Sequence, residues 1–223
     1  MIFDHLFYNL STFYDVQIPL VSGTHHGFTF FYWLLKTFIA GCFFFLAGIS
    51  CTFSRNNFNR GLRLLCIAVA LTLVLYFAME ITILFGVLHF LAVSMILAPL
   101  FTVLYKKLQA KIATLLSVSV AIIILGVTPI VRQTTPPYPF MGIFGFPVES
   151  FRSADYFPLI PWFGIFLLGI VFGCLFYKEK RSLFHITAKP NFINYAGRYT
   201  LWVYLIHQPI LIGLLWIILG SPF

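Results

Sequence analysis

Long apolar runs separated by short polar joints dominate the chain. Such runs cover residues 28–53, 62–79, 81–105, 112–131, 157–176 and 199–219. Each is close to the roughly 20 residues a helix needs to cross a hydrocarbon core about 30 Å thick. Lipid offers the backbone no hydrogen-bond partner, so each run is predicted to span as a helix. A shorter apolar stretch, residues 1–14, opens the chain. At about 1.5 Å per residue it reaches only about 21 Å, and it is expected to be the back part of a longer membrane helix. The pattern predicts an all-α, polytopic integral membrane helix bundle with about seven transmembrane helices, and one domain over residues 1–223. Glu80 alone separates the third and fourth runs, which implies a tight turn. Residues 132–156 form the longest joint, rich in Pro, Gly and Phe. The link 15–27 carries Pro19, Gly23, His25 and His26.

Composition agrees with this pattern and excludes a soluble domain. The chain is 61% hydrophobic and 9% charged, with a mean hydropathy of +0.97, whereas soluble domains are about 25% charged. A net charge of +8 would suit nucleic acid only if the basic residues shared one face or run. They do not, and no nucleic acid partner is expected. Arg55, Arg60 and Arg63 lie between or at the edges of the second and third spans, and Lys106, Lys107 and Lys111 between the fourth and fifth. Lys178, Lys180, Arg181, Lys189 and Arg198 lie between the sixth and seventh, so eleven of the fourteen basic residues fall on one side. The positive-inside rule therefore places the N-terminus inside and turns residues 15–27 and 132–156 outward. Cys42, Cys51, Cys66 and Cys174 sit within apolar segments without CxxC spacing, which indicates neither a zinc site nor a disulfide framework.

Polar residues inside the apolar runs are the candidates for chemistry. Asp4, His5 and Asn9 lie in the first, Lys36 in the second, His89 in the fourth, and His207 and Gln208 in the seventh. A charge facing lipid costs on the order of 2.5–3.5 kcal/mol on insertion scales. These groups are therefore expected to turn toward the bundle interior and share one site. One imidazole hydrogen-bonded across helices would serve packing alone; three on three helices favour a site. Lys36 can instead snorkel to the interface. Arg55, Arg60 and Arg63 serve as inside anchors or as forks for a phosphate-rich cytoplasmic ligand. Ahead of the sixth span, Ser153 or Asp155 can cap that helix, with Pro158 and Pro161 in its first turn. Asp155 can alternatively hold a polar acceptor beside Glu149 and Arg152, and Tyr156 and Trp162 are placed as interfacial aromatics.

The same residues carry a family resemblance. Residues 1–5 (MIFDH) with Asn9, 44–50 (FFLAGIS), 86–90 (GVLHF), 153–162 (SADYFPLIPW), 197–198 (GR) and 204–209 (YLIHQP) resemble bacterial relatives of the heparan-alpha-glucosaminide N-acetyltransferase catalytic domain. In that family an Arg-Gly pair stands about eleven positions before the histidine, and the run ahead of His5 here is too short to include it. The resemblance implies transfer of an acyl group, usually acetyl, from cytoplasmic acetyl-CoA to a hydroxyl or amine of a glycan-type acceptor across a bacterial or archaeal inner membrane, with no metal. It implies His5 as general base or acyl carrier, His89 and His207 as polar lining, Asp155 on the acceptor side, and Arg55, Arg60 and Arg63 on the coenzyme. Asn9, Lys36, Tyr156, Trp162 and Gln208 are the substrate-binding candidates. The lipid bilayer is the expected surrounding partner, and a homo-oligomer is compatible with the chain. A small transporter or channel using the histidines as a proton relay, or a non-catalytic membrane subunit, are the competing readings.

Overall fold

The computed structural model describes residues 2–16, 18, 26–79, 82–148, 151, 153, 155–177, 195, 197 and 199–220. Among these, eight α-helices follow in order: α1 (Ile2–Phe13), α2 (His26–Phe53), α3 (Asn57–Met79), α4 (Val87–Lys107), α5 (Ala110–Gly126), α6 (Thr128–Gln133), α7 (Leu159–Phe176) and α8 (Thr200–Leu219). A 3-10 turn, Pro139–Phe144, lies between α6 and α7. The described residues hold six candidate spans, with α5 and α6 counted together as Ala110–Gln133. With the short α1 they account for the seven apolar runs. Large apolar side chains stand outward, among them Phe77 at 78% and Ile217 at 82% exposure. In water that surface would be an aggregation liability; against lipid it needs no cover. Glu80, Glu149, Arg152, His25 and the basic residues Lys178, Lys180, Arg181, Lys189 and Arg198 lie outside the described residues.

The chain divides into two compact units, residues 1–38 with 185–223, and residues 39–184. In the first, α1 and α8 run parallel: the His5 and His207 rings lie 4.9 Å apart, and further along the Tyr14 hydroxyl donates to the Gly220 carbonyl at 2.9 Å.

In the second unit α3 and α4 are antiparallel neighbours, joined near one end by the Thr72 hydroxyl donating to the Ile83 carbonyl. The C-terminal half of α2 runs parallel to α7 at very short range. A Cβ on Gly48 would stand 2.1 Å from the Phe166 carbonyl, and one on Gly169 would stand 2.0 Å from the Phe45 carbonyl. Only glycine permits that approach, and in lipid such contact replaces the missing hydrophobic drive between helices. Phe44, Phe90 and Phe166 fill the space beside it, each fully buried, with the Phe44 and Phe90 rings 4.4 Å apart.

Two expected boundaries are corrected. The fourth span begins at Val87, not at residue 81. Residues 82–86 lie outside any helix, and Phe85 forms an isolated parallel bridge with Tyr156. A short extended segment pinned to the loop therefore stands where a tight turn was expected. The fifth span is interrupted at Val127 because Pro129 has no N–H to continue the helical ladder.

Gly48→Leu should force α2 and α7 apart and lower stability by roughly 1–3 kcal/mol or more, whereas Gly126→Ala, with open space around the added Cβ, should be neutral or slightly stabilising. Thermal unfolding in detergent micelles checks the contrast; equal melting of the two variants would contradict the close helix contact.

Candidate functional site

In the first unit, six sequence candidates converge. On α1, His5 and Asn9 are one turn apart on the same side. Asp4, beside His5, receives three contacts from α2: the Tyr32 hydroxyl donates to Oδ1 at 2.6 Å, and the Lys36 ammonium reaches Oδ1 at 2.9 Å and Oδ2 at 2.7 Å. Tyr32 and Lys36 are themselves one turn apart, so a single face of α2 meets a single carboxylate. Lys36 is thus anchored on Asp4, its side chain 51% exposed.

Across from α1, α8 brings His207 and Gln208. The Gln208 amide donates to the Asn9 side-chain oxygen at 2.9 Å, linking residues 199 positions apart. His207 Nδ1 lies 2.6 Å from the Tyr204 carbonyl. A carbonyl only accepts, so Nδ1 carries a proton, and Nε2 is the nitrogen left to accept one. That Nε2 is buried without a partner among the described residues, as are Asn9 Nδ2 and Gln208 Oε1. Asn9 is fully buried and His207 is 7% exposed. Buried polar atoms are rarely left unpaired, and three of them here fall on two facing helices.

The second unit holds the remaining candidates. His89 is the third residue of α4 and is buried. Asp155 Oδ2 accepts from the Val87 amide at 2.8 Å, and its charge acts on His89. Ser153 Oγ accepts from the Leu84 amide at 3.0 Å and donates to the Asp155 carbonyl. Asp155 and Ser153 were expected as caps of the sixth span. Instead Asp155 satisfies a free N–H at the start of α4, and α7 begins at Pro158 without any side-chain cap. The swap works because the bridge between Phe85 and Tyr156 lays this loop against the segment that enters α4. A Cβ on Gly86 would stand 2.5 Å from Asp155 Oδ2, so glycine is needed for the carboxylate to reach the helix end.

Tyr156 and Trp162 line a cavity of about 390 Å³ together with Arg132, Phe146, Phe151 and Pro158. The Tyr156 hydroxyl donates to the Gly142 carbonyl, and burial keeps its phenol above the usual range. Arg132 belongs to this wall and was not singled out from sequence; neither was Tyr32. Tyr32 was detectable as the residue one turn before Lys36, and Arg132 as a cation at the end of an outward span.

Arg55, Arg60 and Arg63 are exposed around the turn between α2 and α3. Arg60 reaches the Asn57 side-chain oxygen at 3.5 Å, and Asn57 in turn donates to the Cys51 carbonyl at 2.7 Å, closing the end of α2. α3 and α4 run antiparallel, so Lys106 and Lys107, at the C-terminal end of α4, lie beyond the start of α3 on the side away from His89. Gly61, between Arg60 and Arg63, packs on Ala92 and Ile96 in the first half of α4, so these arginines lie within about two helical turns of the level of His89, whereas Lys106 is about 26 Å from His89 at helical rise. The described residues include no group of three or more His, Cys, Asp or Glu placed to hold a metal ion.

These features define a polytopic helical membrane protein with a buried site of paired histidines and carboxamides. Residues 1–209 match the family model described as "Heparan-alpha-glucosaminide N-acetyltransferase, catalytic", and the chain belongs to that family. Membership in it, with six apolar spans, makes the chain a membrane acetyltransferase. No curated protein and no solved structure matches the chain.

Asp155→Ala should cost about 0.5–2 kcal/mol, the ordinary worth of a helix N-cap, and Asp155→Asn, which keeps an acceptor oxygen, should cost less. Chemical denaturation in mild detergent reads both, and an Asp155→Ala variant as stable as wild type would contradict the capping role.

Proposed function

We propose that the chain moves an acetyl group from cytoplasmic acetyl-CoA to a hydroxyl or amine of a glycan-type acceptor across a bacterial or archaeal inner membrane. The observation that carries this reading is the pairing of His5 with His207 at 4.9 Å, beside unpaired buried polar atoms, in a chain of an acetyltransferase family. His207 holds its Nδ1 proton on the Tyr204 carbonyl, which leaves Nε2 as the nitrogen able to take a proton during transfer. His5 is the residue we assign as base or acyl carrier, with His207 as its partner. Asp4 would fix the first turn of α1, clamped by Tyr32 and Lys36, so that His5 is presented in one orientation.

Arg55, Arg60 and Arg63, exposed around the turn between α2 and α3, suit the phosphates of the coenzyme on the cytoplasmic side. The aromatic cavity with Tyr156, Trp162 and Arg132 suits the rings and polar groups of an acceptor on the outer side, with Asp155 and His89 at its inner neighbour, the start of α4. On this reading the N-terminus is inside and residues 1–223 act as one domain.

His5→Ala in the purified protein should lower acetyl transfer from acetyl-CoA by about 10²–10⁴-fold, the usual contribution of a positioned base; unchanged transfer and hydrolysis would remove His5 from the role. Replacing Arg55, Arg60 and Arg63 together by Gln should raise the KM for acetyl-CoA by about tenfold or more, as expected for loss of charged hydrogen bonds, with kcat little changed. A KM equal to wild type would assign them to membrane anchoring alone.

A further inference from the structure

We infer that Asn9 and Gln208 form the carbonyl-binding element of the transfer site, with the Asn9 amide donating to the acyl oxygen of a bound thioester as that oxygen gains negative charge. The inference rests on the acetyl-transfer reading above and adds a role to it.

Two primary amides that face each other can close a ring of two hydrogen bonds. Here only one is made, from Gln208 Nε2 to Asn9 Oδ1. Among the described residues the Asn9 donor and the Gln208 acceptor are left buried and unpaired, and Asn9 has no exposed surface at all. Packing of α1 on α8 needs no more than the bond already present, so packing does not account for the open half of the pair. A lipid surrounding cannot satisfy either atom. The third unpaired atom, His207 Nε2, belongs to the residue preceding Gln208, and it is the nitrogen left to accept a proton because Nδ1 donates to the Tyr204 carbonyl.

A donor, an acceptor and a lone-pair nitrogen together match the groups that develop in acyl transfer. The acceptor's nitrogen or oxygen bonds to the acyl carbon, and the carbonyl π pair moves onto oxygen, where the Asn9 N–H meets it. The hydrogen on the attacking atom is oriented by Gln208 Oε1 and passes to the histidine pair. When the electron pair returns to restore C=O, the C–S bond breaks and the thiolate leaves with that proton as the free thiol. The ligand class read by the amide pair is therefore an acyl thioester, and Asn9 is placed as a catalytic residue that touches the reacting oxygen.

The test uses the purified full chain, acetyl-CoA labelled with ¹³C at the acetyl carbonyl, and glucosamine as acceptor. Asn9→Ala should lower kcat by about 10²–10³-fold, the loss typical of an oxyanion donor, with the KM for acetyl-CoA changed by no more than about threefold. In infrared difference spectra the labelled carbonyl band should move to lower frequency on binding wild type and stay at its solution position with Asn9→Ala. Should that variant fail to fold, Asn9→Asp keeps the shape without the donor and should show the same two losses. Wild type that transfers acetyl beside variants that transfer equally, or that keep the band shift, overturns the Asn9 assignment alone. Wild type that neither transfers acetyl nor shifts the band overturns the acetyl-transfer reading, and the amide site with it.

Discussion

A charge or amide carried into an apolar helix bundle has to be met by another side chain, because lipid supplies no partner. That constraint organises the first unit. The Asp4 carboxylate accepts from Tyr32 and Lys36, which ties the first turn of α1 to one face of α2. The Asn9 oxygen accepts from Gln208, which ties the same helix to α8. With both ties made, His5 between them has little freedom, and His207 faces it at 4.9 Å. The charged pair is partly exposed, Lys36 at 51% and Asp4 at 28%, and it fixes which face of α2 meets α1.

The second unit answers the same constraint differently. Its helices carry few polar groups, and they associate by backbone approach at Gly48 and Gly169 and by the aromatic cluster around Phe44. Ser94 and Ser117 are buried within α4 and α5, and the other polar candidates lie in the loop ahead of α7, at the start of α4 and around the turn between α2 and α3. Asp155 and Ser153 tie the loop ahead of α7 to the start of α4, beside His89 and the aromatic cavity, while the arginines are exposed around the turn between α2 and α3.

Much of the architecture was legible because membrane spans are long, apolar and helical for one physical reason, and six of the runs are long helices with positions close to those read from sequence. The misreadings share a cause as well. The start of α4 was placed six residues early because 82–86 are as apolar as the helix that follows, and hydropathy cannot see a β-bridge. Asp155 was read as a cap of the helix it precedes, a local rule, whereas its partner is 68 residues away. Within the site, the polar residues inside apolar runs stood out from sequence and six of them converge. Their pairing did not stand out: nothing local links Asn9 to Gln208, and Tyr32 looked like one more aromatic among many.

The most direct measurement of the central claim uses proteoliposomes with glucosamine enclosed and acetyl-CoA supplied only outside. Acetylated amino sugar should accumulate in the lumen with the wild-type protein and not in protein-free vesicles. A lumen that stays free of product while external acetyl-CoA remains intact would contradict a transmembrane acetyl transfer by this chain.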